Sequence, residues 1–349
     1  MKPATVARSR SAPRRVLVID PGSGRFREVP PSALPDLFVA GDVVVFNDAA
    51  TLPAALLTVD GAVELRLLAE NDDGTFAALA FGAGSWRMRT EDRPAPPPLE
   101  EGTRLTFRGG LRARVVGKDP ASPRLVRVRF EAEPDALWPA LYRAGAPVQY
   151  SYLEEPLALW DVQTAWASRP WAMEPPCAGF ALSWETFLEL RRRGVRFAGL
   201  THGASLSSTG DASLDERLPW TERFDIPEST VAAVSRAGAE GRRVIAIGTT
   251  VVRALEGAAA SDDSLQPGQG TTNLVIGPGF RPRIVSGILT GMHEPGDSHY
   301  RLLQAFAPEP LLAEAHRFAD VAGFETHEFG DVAVVLPGLI PHPSASPTT

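Results

Sequence analysis

The sequence predicts an α/β fold with an inserted β-rich, barrel-like unit. The α/β domain would come from both ends of the chain, residues 14–59 and 156–336, and the insert from 60–155. Three observations carry this expectation. Short continuous apolar runs suit strands buried on both faces, period-two alternation fills the middle, and strands alternate with helices after residue 180. A length of 349 residues fits about two domains, and 44% hydrophobic residues supply a core without staples.

In chain order, Arg15–Asp20 opens as a strand before the turn Pro21–Gly24, and Gly41–Asp48 is an apolar run ending in Asn47 and Asp48. Ala62–Ala69 and Thr75–Phe81 flank the turn Asn71–Gly74, while Thr103–Arg108 and Leu111–Gly117 flank Gly109-Gly110, a hairpin signal. Leu125–Phe130 alternates, which sets Arg127 and Arg129 on one face and Val126, Val128 and Phe130 on the other. Pro94–Pro98 is a stiff loop.

Beyond residue 180, Ser183 caps a helix over Trp184–Arg193 that Gly194 ends, and a strand follows at Val195–Thr201. Asp225-Ile-Pro-Glu228 has the spacing of a capping box opening a helix that runs to about Gly238. Next come strand Arg243–Ile247, helix Thr250–Ala260, strands Asn273–Ile276 and Arg283–Leu289, helices from Asp297 and Pro310, and strand Asp331–Leu336. The tail Pro337–Thr349, rich in proline and small polar residues, is expected to be disordered.

Composition excludes several classes. One cysteine, Cys177, forms no intramolecular disulfide framework and no multi-cysteine metal site. No run of about 18 apolar residues suggests a membrane span. The basic start (Lys2, Arg8, Arg10, Arg14, Arg15) lacks the apolar stretch of a secretory signal, so a cytoplasmic location is expected, with no membrane partner. A formal charge of −7 argues against coating nucleic acid over the whole surface. Yet Arg104–Arg129 holds seven arginines and Lys118 against Asp119, a local +7 on β-strands that suits a phosphate backbone. All basic residues but Lys2 and Lys118 are arginine, a preference that coding bias explains equally well.

Three segments carry chemistry. Arg243–Thr250 is a buried strand ending in Gly248-Thr249-Thr250 at a helix N-terminus, where free N–H groups and two hydroxyls suit a carboxylate or a hydroxyl-rich ligand. Arg253 and Glu256 lie three apart and share a helix face. A plain N-cap beside an exposed ion pair is the simpler reading of the same residues. Thr290-Gly-Met-His-Glu-Pro295 puts His293 in a strand-to-helix loop, and Leu200–Thr209 puts His202 at another strand end. Local hydrogen bonding would account for either histidine. His293-Glu-Pro-Gly-Asp-Ser-His299 is no zinc helix: its histidines are six apart, and Pro295 with Gly296 breaks the helix. No metal is expected. There is no P-loop, no G-x-S-x-G elbow, and Gly268-Gln-Gly270 lacks a preceding strand.

In order along the chain, these segments resemble the S-adenosylmethionine:tRNA ribosyltransferase-isomerases of queuosine biosynthesis. The most specific match is Arg243-Val-Ile-Ala-Ile-Gly-Thr-Thr-Val-Val-Arg-Ala-Leu-Glu256. Gly41–Asp48, Gln163-Thr-Ala-Trp-Ala167, Pro176-Cys-Ala-Gly179, Ile276–Phe280, His293-Glu-Pro295 and Phe329-Gly-Asp331 support it. The resemblance implies a two-domain α/β fold with a β-rich insert and S-adenosylmethionine as co-substrate. Its ribosyl group would pass to the aminomethyl group of a 7-deazaguanine (preQ1) in tRNA, with release of adenine and methionine, and the sugar would become an epoxycyclopentanediol. It further implies His293 and His202 as acid–base candidates, with Asp331 beside them. Asn47, Asp48, Gly248, Thr249, Thr250, Arg253 and Glu256 would hold the co-substrate, and Arg112, Arg127 and Arg129 the RNA.

Departures from the family pattern leave alternatives open. Ala50 and Ala55 stand where the family carries arginine, and Ala181 where it carries histidine, which removes charge-assisted contacts. A diverged paralogue acting on a small 7-deazaguanine-like or other small-molecule acceptor is one alternative, and a non-catalytic ligand- or RNA-binding relative is another. A monomer or weak homo-oligomer is expected.

Overall fold

The computed structural model describes residues 1–7, 15–120, 122–262 and 264–340. Among these residues, nine strands form one mixed sheet. Its order is Gly268–Thr272, Glu222–Ile226, Arg196–His202, Val43–Asn47, Val244–Ile247, Gly287–Gly291, Val332–Val335, Val16–Asp20 and Arg25–Val29. The third to sixth of these run parallel, while Glu222–Ile226 and Val332–Val335 flank them antiparallel.

The apolar runs explain why these strands lie in the middle. Val43, Val45, Val244 and Ala246 face one apolar cluster, whereas Val44, Ile245 and Ile247 face another. Side chains alternate across a strand, so a continuous run of β-branched residues demands cover on both sides. Helices Glu228–Ala239, Thr249–Asp262 and Glu309–Ala322 cover the first face, and Trp184–Arg192 with the turn Pro31–Leu37 covers the second.

A second sheet has six antiparallel strands in the order Ala55–Leu57, Glu64–Glu70, Phe76–Phe81, Leu125–Phe130, Arg112–Lys118 and Arg104–Thr106. It curls until its outer strands meet: Val59 N–H donates to Thr106 O at 2.9 Å, beside a bridge between Thr58 and Phe107. Curling hides the unpaired edges that a flat sheet would expose. Gly109 and Gly110 both sit at positive φ (69° and 80°), the backbone that the Gly-Gly hairpin signal anticipated. The sheet starts at Ala55, ahead of the expected boundary at 60, and its apolar core also takes in Met173, Leu206 and Leu214.

Several local expectations need correction. Asp225 and Ile226 belong to the strand Glu222–Ile226, and the following helix starts at Glu228 with Pro227 at its cap and no side-chain capping bond. Pro227 holds an extended φ/ψ (−62°, 149°), so Asp225 continues a ladder where a capping box would need a turn. Residues 273–276 are not a strand, since the edge strand is Gly268–Thr272, the Gly-Gln-Gly segment itself. The strand expected over 283–289 starts and ends later, at Gly287–Gly291, and the helix Pro134–Ala144 has no counterpart in the sequence reading.

The start of the expected disordered tail is held in place: Asp20 accepts hydrogen bonds from Gly338 N–H at 2.9 Å and Ile340 N–H at 2.7 Å. Residues 341–349 lie outside the described residues, as do Arg8, Arg10 and Arg14 of the basic start. Among the described residues, no helix is long and apolar enough to cross a membrane.

Candidate active site

The four parallel strands end on one edge of the large sheet, where α/β folds commonly build ligand sites. Asn47, His202, Gly248 and the Thr290–His293 loop therefore share that edge. The antiparallel flanking strands bring their first residues to it, which adds Glu222. A cleft of about 500 Å³ opens there, closed on its far side by residues 150–152, 174–178 and 326–328 and reached by Arg89–Glu91 from the curled sheet.

Gly248 turns strand into helix at φ 92°, a conformation that side chains other than glycine rarely adopt. The turn aims Thr249, Thr250 and the first N–H groups of Thr249–Asp262 at the cleft, which Arg253 also lines one turn later. Asn47 lies beneath this corner. Its Nδ2 donates to His202 O at 2.9 Å and to Thr250 Oγ1 at 3.4 Å, and its Oδ1 accepts from His202 N–H at 2.9 Å and Ala49 N–H at 3.0 Å. With its amide so occupied, Asn47 braces the corner and does not line the cleft.

His202 is fully buried, and burial, reinforced by the Arg253 charge, holds its pKa down to about 3. Its Nε2 lies 3.4 Å from Glu222 Oε2, which lies 2.7 Å from Arg253 Nη2. Burial pushes Glu222 above the ordinary carboxylate range although Arg253 pulls the other way, and burial lowers Arg253 from its usual value. His293 lines the cleft with Nε2 at 2.8 Å from Thr290 Oγ1 and its ring centroid 4.9 Å from that of His299. Burial first, then the charges of His299 and His327, keeps His293 well below the usual histidine range; burial and Arg253 take His299 down to about 4. Near neutral pH these imidazoles are uncharged; His293 hydrogen-bonds Thr290, while neither ring nitrogen of His202 has a hydrogen-bond partner among the described residues.

The far wall holds the carboxyl of Glu174. Burial pushes Glu174 up to about 7 against the hydrogen bond from Tyr150 OH, and the Glu328 charge adds to the rise. Ser207 N–H donates to Glu174 at 3.0 Å, and Tyr152 OH donates to Glu328. Tyr150, Tyr152 and His327 form a stacked row with centroid spacings of 6.0 and 4.4 Å.

Several expected contact residues serve the fold elsewhere. Asp48 accepts from Thr201 Oγ1 at 2.5 Å beside the Arg169–Asp225 pair, away from the cleft. Glu256 does not pair with Arg253; it accepts from Arg283, Ile284 and Val285 N–H at 2.9, 3.0 and 2.9 Å and pins that loop. Asp331 accepts from Arg15 N–H at 3.0 Å and Glu325 N–H at 2.9 Å, which ties a turn next to Val332. Arg112, Arg127 and Arg129 are exposed on the curled sheet, with Arg129 opposite Arg114. Glu131, two residues past the +7 window, lies 3.5, 3.9 and 3.2 Å from Arg104, Arg112 and Arg114 and offsets part of that charge. Among the described residues, no group of three or more His, Cys, Asp or Glu is placed to hold a metal ion.

A family model described as "Queuosine biosynthesis protein" matches residues 2–335. The chain belongs to this queuosine biosynthesis family. Relatives in the family include the S-adenosylmethionine:tRNA ribosyltransferase-isomerase of Thermus thermophilus, 33% identical over 87% of this chain and 86% of that one. The enzyme of the same name from Gloeobacter violaceus is 33% identical over 95% of this chain and 93% of its own. The fold matches the crystal structure of an S-adenosylmethionine tRNA ribosyltransferase from Thermotoga maritima with a TM-score of 0.52 and 22% identity, covering 96% of this chain and 95% of that one.

Sequence reasoning missed Glu222, Glu174, Tyr150, Tyr152, His299, His327 and Glu328 as cleft residues of this family member. His299 ends the His293–His299 segment, whose spacing excludes a zinc helix and says nothing of a place in the cleft. Nothing in the spacing around Tyr150 announces a partner 24 residues away.

Proposed function

We infer that this chain is an S-adenosylmethionine-dependent tRNA ribosyltransferase-isomerase. It moves the ribosyl group of S-adenosylmethionine to a preQ1 base in tRNA, with release of adenine and methionine. The observation that carries this reading is the family match over residues 2–335, joined to the meeting of the Gly248–Thr250 corner, Arg253 and His293 in one cleft. Its volume of about 500 Å³ lies within the usual range for small-molecule sites.

The reaction requires removal of a ribose C5′ proton that the sulfonium acidifies, and proton delivery to the departing adenine. We assign the base to Glu174, since the buried histidines are already neutral and weakly basic while Glu174 exchanges its proton near pH 7. His293, held by Thr290, is assigned to hydrogen bonding with the nucleoside. Arg112, Arg127 and Arg129 are assigned to the tRNA backbone, which lies across the curled sheet while Arg89–Glu91 lead toward the cleft. A cytoplasmic site of action follows from a tRNA substrate. The curled sheet as an inserted domain, with the large sheet as the α/β domain, is the domain division we propose.

Incubation with S-adenosylmethionine and preQ1-modified tRNA tests the reading. Adenine and methionine should appear in equal amounts with a matching mass gain on the tRNA, and intact S-adenosylmethionine would overturn it.

A further inference from the structure

Buried polar atoms without hydrogen bonds are rare, and here several gather in one corner. Ser205 Oγ, Glu222 Oε2, Arg253 Nε and Arg253 Nη2 are all buried and make no hydrogen bond among the described residues. The residues are 7%, 6% and 9% exposed, and all three line the cleft. Arg253 Nη2 approaches Glu222 Oε2 to 2.7 Å, yet the N–H does not point along the contact, so the two charges are neighbours and their hydrogen-bonding capacity is unspent. The other carboxylate oxygen, Glu222 Oε1, is taken by Ser205 N–H at 2.8 Å, which fixes the open oxygen toward Arg253.

A buried cation with open donors beside a buried anion with an open acceptor fits a ligand that presents an anion and a cation side by side. An α-amino acid head group is such a ligand. The N-terminus of the Thr249–Asp262 helix, opening on the same cleft, adds N–H groups and two hydroxyls on the arginine side, where an anion is favoured.

We propose that Arg253, Glu222 and Ser205 form an α-amino acid clamp that seats the methionine end of S-adenosylmethionine. The carboxylate takes the open donors of Arg253 and the helix N-terminus, and the ammonium takes Glu222 Oε2 and Ser205 Oγ. His202, uncharged and 3.4 Å from the same oxygen, is a positioning residue behind Glu222. The clamp rests on the functional reading above and adds the orientation of the co-substrate: methionine end at the Thr249 corner, nucleoside toward His293 and the tyrosine wall.

Calorimetry of the full chain with S-adenosylmethionine and with its decarboxylated analogue, which keeps the ammonium, tests the clamp without any variant. Charge-assisted bonds to a buried arginine predict that loss of the carboxylate weakens binding at least about tenfold. Arg253→Lys should narrow that preference by weakening S-adenosylmethionine alone, and Glu222→Gln should weaken both ligands by a similar factor. Equal affinity of the unaltered chain for the two ligands overturns the clamp and leaves the functional reading standing. No binding of either overturns both.

Discussion

Replacing Glu174 with glutamine keeps the shape of the side chain and removes its proton exchange. With a pKa of about 7, the charged fraction in the unaltered protein rises roughly tenfold between pH 6 and pH 8. If this carboxylate removes the C5′ proton, kcat/KM for adenine release should climb by that factor over the interval and then level off. Glu174→Gln should flatten the limb and cost about 10²–10⁴ in rate, the usual contribution of a general base. The stability effect has a definite sign. A carboxyl whose pKa is raised by folding contributes stability present below the unfolded value near 4.5 and lost as pH rises through 7. The full loss is about 3 kcal/mol. Glutamine escapes it but keeps only one of the two oxygens that accept separately from Tyr150 OH and Ser207 N–H, a loss worth about 1 kcal/mol, so the variant should melt higher than the unaltered protein at pH 8 and lower at pH 5. Steady-state adenine release across pH, with melting curves at both pH values, reads every part. An unchanged pH limb in the glutamine variant refutes the assignment.

His202 and His299 are held at about 3 and about 4, below their unfolded value of 6.5, so the stability they contribute is present above pH 6.5 and lost as pH falls toward 4. Melting temperature should drop over that interval, and His202→Gln should shrink the drop. Changing Arg112, Arg127 and Arg129 to glutamate should weaken tRNA binding and lower the salt slope by about three, while calorimetric affinity for S-adenosylmethionine stays the same. Unchanged tRNA affinity would remove the RNA role from the curled sheet. Gly248→Ala forces a side chain into φ 92° with its Cβ 3.3 Å from that of Ala178. About 1–3 kcal/mol of stability and most S-adenosylmethionine affinity should be lost; an alanine variant that binds normally would show that the turn does not set the corner.

Much of the fold is legible because local pattern and burial agree. The Val43–Phe46 and Val244–Ile247 runs admit little but central strands, and the alternation in Leu125–Phe130 puts its arginines outside, as the structure does. Errors arise where a local signal competes with long-range pairing. Asp225-Ile-Pro-Glu228 satisfies capping-box spacing, but the ladder with Arg196–His202 claims Asp225. Arg253 and Glu256 have helix-neighbour spacing, yet each is drawn away: Arg253 to Glu222 across the sheet edge, Glu256 to three N–H groups of a distant loop. Glycine in Gly268–Thr272 hides a strand whose partners supply the pairing. The Gly-Thr-Thr corner and His293 could be read because a strand end followed by a helix start is visible locally. The tyrosine wall and Glu174 could not, because burial raises that carboxyl, and burial depends on segments far apart in the chain.

We infer that strand ends distant in sequence converge to hold one nucleoside sulfonium. A crystal structure of the full chain soaked with S-adenosylmethionine tests it most directly. The ligand should lie between Thr249, Arg253 and His293, with its methionine end beside Glu222 and its ribose facing Glu174; a ligand seated on another face, out of reach of all five residues, would refute this convergence.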